Sequence, residues 1–315
     1  MKQMEMNRSR DLVSSNDESD DLPKGIQKRT ALPNAELGAL WDSIILDEKI
    51  KDRLLSQAIL NFTIRPRVNR SVLPLHGIIL LVGAPGTGKT SLAKGLAHRV
   101  AHSFANNKRF SLLEVDPHAL TSSAMGKTQR AVTDLFSQTV SEAAMSGPTI
   151  VLLDEVETLA VDRSKLSMEA NPIDIHRATD AVLVQLDILA EQFPQLLFLA
   201  TSNFPEAVDT AFTSRCDLVM TIPLPDHEAC ERILVDCLEG LGTTYPEIGK
   251  IARVPGLKKL ALSCVGLDGR TLRKMIAVGL AGSRETARDP NKLTLHHLIE
   301  ASEILKTAND KGSKK

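Results

Sequence analysis

The chain has 315 residues, 43% of them hydrophobic and 3% aromatic, with a formal net charge of −1. This is enough apolar material for about two domains, and the near-neutral balance speaks against a polyanion-binding protein, which would carry a basic excess. No apolar run approaches the roughly 20 residues of a membrane span and the N-terminus lacks a leader pattern, while four cysteines without a C-x-x-C pair suggest reduced thiols in a cytoplasmic protein, not a zinc site or disulfide framework.

Residues 1–39 read as a disordered polar tail, too poor in apolar side chains to order itself. Structure is expected from Leu40-Trp41 onward. Asp47 is a candidate cap for a helix whose positions Ile50, Leu54, Ala58 and Phe62 recur at helical spacing.

Gly77 to Val82 is an unbroken apolar run, the composition of a strand buried on both faces. Gly83-Ala84-Pro85-Gly86-Thr87-Gly88-Lys89-Thr90 follows it and fits the phosphate-loop pattern G-x-x-x-x-G-K-[ST]. Glycines there let backbone N–H groups converge on phosphate oxygens, and the helix that follows points its positive end at the same place. Gly83, Pro85, Gly86, Thr87, Gly88, Lys89, Thr90 and Ser91 are therefore the expected ligands of a nucleoside triphosphate. Lys89 would reach the β- and γ-phosphates, and the Thr90 hydroxyl would bind Mg²⁺. His98 and His102 stand at a metal-ligand spacing on the next helix, but no glutamate follows His98 and no third ligand is apparent.

Four further strands are expected at Phe110 to Val115, Thr149 to Leu153, Leu196 to Thr201 and Leu218 to Ile222. Helical patterns such as Lys127 to Met145 and Asp174 to Phe193 separate most of them, which predicts an α/β fold with a parallel sheet. Beyond Pro223 the pattern is helical. Asp226 opens the first helix, Leu257 to Cys264 forms another, and Asp268 and Thr294 cap two more, over Asp268 to about Ala287 and Thr294 to Lys306. The expected division is a large α/β domain over 40–223, a small helical domain over 224–306 and a polar tail over 307–315.

The strand Thr149 to Leu153 ends in Asp154 and Glu155, two carboxylates that are costly at a buried strand end without a cation or a proton-transfer task. Asp154 is the candidate Mg²⁺ ligand and Glu155 the candidate base for an attacking water, which favours hydrolysis over binding alone. Asn203, ending the next strand, is either a contact to that water or to the γ-phosphate, or a turn asparagine. Arg215 is either a guanidinium supplied across a subunit boundary or a surface arginine paired with Asp217. Arg270 either reaches over the nucleotide from the helical domain or belongs to a solvated basic face with Arg273 and Lys274.

In this order the elements resemble an AAA+ ATPase and, more narrowly, the pachytene-checkpoint-type remodellers of HORMA-domain proteins. The resemblance covers about Leu40 to Lys306. It is carried by Leu40-Trp41-Asp42-Ser43, Gly86 to Leu92, Ala181 to Asp187, Thr201-Ser202-Asn203, Phe212 to Asp217 and Gly269 to Lys274. It implies a five-stranded parallel sheet of order 5-1-4-3-2, counted from the phosphate-loop strand, with a C-terminal helical lid. It also implies a homohexamer with ATP and Mg²⁺ at subunit interfaces, Asn203 as sensor 1, Arg215 as the arginine finger and Arg270 as sensor 2.

Hydrolysis in such a ring moves pore loops that pull on a HORMA-domain protein. By position these are Ser123, Ala124, Met125 and Gly126 in the first loop and Asp162 to His176 around the second. Two departures stand out. The residues before the core are too few for the recognition domain of eukaryotic relatives, and Ala124-Met125 replaces the aromatic residue of many translocases. The short form resembles bacterial members tied to anti-phage cyclic-nucleotide signalling, which implies a nucleotidyltransferase as a further member of the complex. A nucleic-acid motor and a nucleotide-gated scaffold are the competing classes. The first lacks a basic stripe, and intact Glu155, Asn203 and Arg215 weigh against the second.

Overall fold

The structure, a computed structural model, describes residues 22–104, 109–120, 127–160 and 172–312. One sheet holds six strands: β1 (Ile26–Leu32), β2 (Ile78–Val82), β3 (Phe110–Val115), β4 (Thr149–Leu153), β5 (Leu196–Ser202) and β6 (Leu218–Thr221). Their order is β1-β3-β4-β5-β2-β6, and every pairing from β3 to β6 is parallel. Counted from β2, the parallel part has the expected order.

β2, β4 and β5 are buried at every position. Side chains alternate between the two faces. Ile79 and Leu81 face a core with Trp41, Leu54 and Leu96 from helices α1 (Ala35–Ser43), α2 (Glu48–Ile64) and α3 (Lys89–Ser103). Ile78 and Leu80 face the opposite core. There they join Phe136, in the helical stretch α4 (Lys127–Asp134, continued by a π-turn Leu135–Val140 and by Ser141–Ser146), and Leu186 of α5 (Pro172–Gln192). Helices on both faces explain why these strands are apolar along most of their length.

The tail expected over 1–39 is corrected in part. β1 lies inside it and pairs antiparallel with β3, with a register irregularity between Ile26 and Lys28, so the sheet has six strands and not five. Only Ile26, Thr30 and Leu32 of β1 are buried. An edge strand half in water needs few apolar residues, so Gln27, Lys28 and Arg29 mask it in the sequence. Asn34 then caps α1 by accepting the Leu37 N–H at 3.1 Å.

Beyond β6 the chain is helical: α6 (His227–Gly242), α7 (Pro246–Ile251), α8 (Gly256–Ser263), α9 (Gly269–Ala281) and α10 (Leu295–Gly312). They enclose Cys230, Leu234, Leu238, Leu272, Met275 and Leu298. Asp226 and Asp268 cap α6 and α9 as expected. The helix predicted to reach Ala287 stops at Gly282, where Ser283 caps a separate turn, Arg284–Arg288. The last helix, expected to end at Lys306, instead continues to Gly312. All four cysteines are free, and burial pushes the thiols of Cys216 and Cys230 up to about 12 and about 11, which keeps them protonated. Among the described residues, no helix is long and apolar enough to cross a membrane.

Candidate active site

The loop between β2 and α3 turns through left-handed Gly86 (φ 81°) and Gly88 (φ 88°), the latter being the N-cap of α3. Lys89, in the first turn of that helix, is almost fully buried. Its Nζ donates to the Gly83 and Ala84 carbonyls, each at 2.9 Å, and to Asn203 Oδ1 at 2.7 Å. Burial lowers the Lys89 pKa, and the carboxylates of Glu157, Asp154 and Glu155 oppose that shift. The lysine thus ties the loop after β2 to the end of β5, its neighbour in the sheet.

Asp154 leaves the end of β4. Its Oδ1 accepts the Thr90 hydroxyl at 2.8 Å and also the hydroxyl of Thr201. Thr90 and Asp154 together present hard oxygen donors, the set that suits Mg²⁺. Glu155 is the one non-glycine residue with positive φ among the described residues, at φ 53° and ψ 53°. Such a conformation costs about 1–3 kcal/mol and persists where the surroundings over-determine it. Here the Glu155 N–H donates to Thr201 Oγ1 at 3.2 Å, and Glu155 Oε1 accepts Asn203 Nδ2 at 3.2 Å. One Asn203 amide therefore joins the phosphate-loop lysine to the candidate base.

Two participants were not singled out from sequence. Thr201 orients Asp154 and Glu155 together, and Glu157 accepts the Asn203 backbone N–H at 3.1 Å. Thr201 lies within the stretch Thr201-Ser202-Asn203, and Glu157 two residues beyond Glu155. No spacing rule marks either as part of the site.

Arg215 is paired, though not with Asp217. It donates from Nε to Asp187 Oδ1 at 3.0 Å, from Nη2 to Asp187 Oδ2 at 2.8 Å, and from Nη1 to the Ala211 carbonyl at 2.8 Å. Asp217 instead accepts the N–H groups of His76, Gly77 and Ile78. Those bonds fix the Arg215 segment at the start of β2, whereas the phosphate loop leaves its end. Five residues at roughly 3.3 Å each separate the two.

From the helical part, Asp268 Oδ1 accepts the N–H groups of Arg270 at 2.9 Å and Thr271 at 3.0 Å, while Oδ2 accepts the Thr271 hydroxyl at 2.6 Å. The Arg270 N–H also reaches the Gly86 carbonyl at 3.3 Å, which docks the start of α9 on the phosphate loop. A cavity of about 300 Å³ lies at this junction, lined by Ile44, Gly88, Ile222, Ile233, Arg270 and Lys274 among others. Its apolar walls come from segments far apart in sequence and carry no local signal. The Arg270 side chain is exposed at this rim, with Arg273 and Lys274 beside it.

Ser123, Ala124, Met125 and Gly126, and residues 162–171 of the expected second pore loop, lie outside the described residues. His98 and His102 stack with ring centroids 5.9 Å apart, and His98 Nδ1 accepts the Asn34 N–H at 3.1 Å, a structural use of that imidazole.

Residues 79–224 match the family model described as "ATPase family associated with various cellular activities (AAA)". CD-NTase-associated protein 6 of Pseudomonas aeruginosa is 64% identical over 303 residues, covering 96% of this chain and 99% of that protein. The pachytene checkpoint protein 2 homolog of Gallus gallus is 34% identical over 267 residues, which is 78% of this chain and 61% of that relative's length. Among solved structures, C. elegans PCH-2 aligns with a TM-score of 0.72 at 26% identity, over 93% of this chain and 77% of that one. A chain of the E. coli MS115-1 HORMA:CdnC:Trip13 complex shares the fold at a TM-score of 0.70 and 20% identity, covering 88% of this chain and 94% of its own.

Proposed function

This chain belongs to the AAA ATPases, with CD-NTase-associated protein 6 and the pachytene checkpoint protein 2 homologues as relatives, and from that premise we propose that it uses ATP hydrolysis to remodel a protein partner. The observation that carries the hydrolytic part is the Asn203 amide, bonded at once to Lys89 and to Glu155. The loop fits a triphosphate: left-handed Gly86 and Gly88 keep Cβ atoms out of the turn, and the N-terminus of α3 faces the same point. Thr90 and Asp154 are the residues to hold Mg²⁺, which when bound neutralises charge on the phosphates.

In this reading Lys89 exchanges its carbonyl acceptors for phosphate oxygens. Glu155 takes the proton of the attacking water, and the Asn203 amide orients the Glu155 carboxylate. Arg270, at the rim of the cavity, closes over the nucleotide from the lid. Arg215 stands at the far end of β2 from its own Lys89, so we assign it to the site of an adjacent copy in a homohexamer. Residues 123–126, with Met125 among them, are the segment assigned to grip substrate in the pore.

The names of two comparison proteins motivate the partner class. One is a CD-NTase-associated protein and the other belongs to a HORMA:CdnC:Trip13 complex. The substrate proposed here is accordingly a HORMA-domain protein in an anti-phage system with a cyclic-nucleotide synthase.

The test uses Glu155→Gln. This variant should bind ATP, lose at least about 100-fold in turnover, and hold a purified HORMA-domain protein in a stable complex. Near-wild-type turnover would sink the role of Glu155. Wild-type turnover with no effect on the binding of peptide by the HORMA-domain protein would sink the partner assignment and leave the ATPase intact.

A further inference from the structure

We propose that Glu157 is a positioning residue for hydrolysis, its carboxylate holding the Asn203 backbone where the Asn203 amide reaches both Lys89 and Glu155. The inference rests on the catalytic reading of Asn203 and Glu155 given above.

β5 pairs with β4 up to Ala200 and with β2 up to Ser202. Asn203 is the first residue beyond both ladders, so its N–H has no strand partner, and a backbone donor there needs an acceptor from elsewhere. Glu157 Oε1 supplies it at 3.1 Å. The left-handed turn at Glu155 makes this possible. It redirects the chain into a single 3₁₀ turn, Val156–Thr158, closed by the N–H and hydroxyl of Thr158 on the Glu155 carbonyl, each at 2.9 Å. That turn brings Glu157 back toward β5.

The second carboxylate oxygen, Glu157 Oε2, is buried and has no hydrogen-bond partner among the described residues. A buried carboxylate oxygen without a hydrogen bond costs stability, and such a group is kept where its position serves something else. Glu157 thus touches the site through Asn203, by a hydrogen bond that survives only while the strained turn holds.

The test is a cycle on the full chain: Glu157→Gln and Glu157→Ala, each alone and with Asn203→Ala, read as kcat and KM for ATP. Glutamine keeps an oxygen for the Asn203 N–H and should stay within about threefold of wild-type kcat. Alanine removes the acceptor and should lower kcat about tenfold or more while KM moves less than about threefold. In the Asn203→Ala background the backbone bond remains but the amide is gone, so Glu157→Ala should cost less than about twofold further. Equal losses in both backgrounds overturn the positioning role, as does a glutamine variant as impaired as the alanine one. If Asn203→Ala alone leaves kcat unchanged, the catalytic reading of Asn203 fails and the proposal falls with it. Binding of a fluorescent ATP analogue reports whether each variant is folded.

Discussion

The carboxylate of Asp187 clasps the guanidinium of Arg215 with two hydrogen bonds, Nε to Oδ1 at 3.0 Å and Nη2 to Oδ2 at 2.8 Å. A fork-on-fork pair of this kind fixes direction as well as distance. It holds Arg215 beside the start of β2, with Arg70 Nη2 at 3.8 Å and His76 Nε2 at 3.5 Å from the same carboxylate. This is the arginine we assign to the site of an adjacent copy.

Mixing therefore provides a direct test. Arg215→Ala subunits and Lys89→Ala subunits should each be inactive alone, and mixed assemblies should recover part of the ATPase rate. Every junction that places an intact phosphate loop beside an intact arginine is competent in trans. Absence of recovery in assemblies shown by native mass spectrometry to be mixed counts against the trans assignment.

The same cluster makes stability depend on pH. Arg215 beside Asp187 holds that carboxyl below its ordinary value near 3.8. A depressed carboxylate pKa stabilises the fold above the unfolded value, and the contribution is lost as pH falls through the lower, folded value. Burial also pushes His76 below 6.5, so a separate loss begins higher, as pH falls from about that value. Thermal melts of wild type and Asp187→Asn should differ wherever the carboxylate is charged, above pH ~4, and converge as pH falls further. A difference that widened below pH ~4 would refute the ion-pair account.

Two glycines should respond to alanine in opposite ways. At Gly86, with φ 81°, a Cβ would overlap the Asp268 carboxylate that caps α9. Gly86→Ala is expected to cost about 1–3 kcal/mol and to weaken ATP binding together with lid docking. At Gly240, inside α6, a Cβ would meet nothing within 4 Å. Gly240→Ala is expected to raise stability by up to about 1 kcal/mol. Calorimetry and nucleotide titration of the two variants check both signs.

Thr201→Val tests the hydroxyl that serves Asp154 and Glu155 together. Valine keeps the shape and leaves the Glu155 N–H without that acceptor at a left-handed residue. A loss of about 1–3 kcal/mol in stability is expected, with a lower kcat, and Thr201→Ser should restore most of both. A valine variant with wild-type kcat would show that this hydroxyl does not orient the base.

What the sequence determined by itself is the part of the molecule written in contiguous residues. Ile78–Val82 and residues 150–153 and 196–200 had to be apolar throughout because helices cover both faces of the sheet. Gly86, Gly88, Lys89 and Thr90 are legible because a phosphate cradle needs its glycines and its cation within one turn of chain. β1 escaped because a half-solvated edge strand can be mostly polar. Tertiary structure alone decided which groups meet. It paired Arg215 with Asp187 rather than its neighbour Asp217, set Glu157 under Asn203 and placed the Gly86 carbonyl against the start of α9. Each of these contacts joins elements brought side by side by the parallel crossovers or by the docking of the helical part. A carboxylate's choice among several cations is made by distance in the folded chain, which local pattern does not encode.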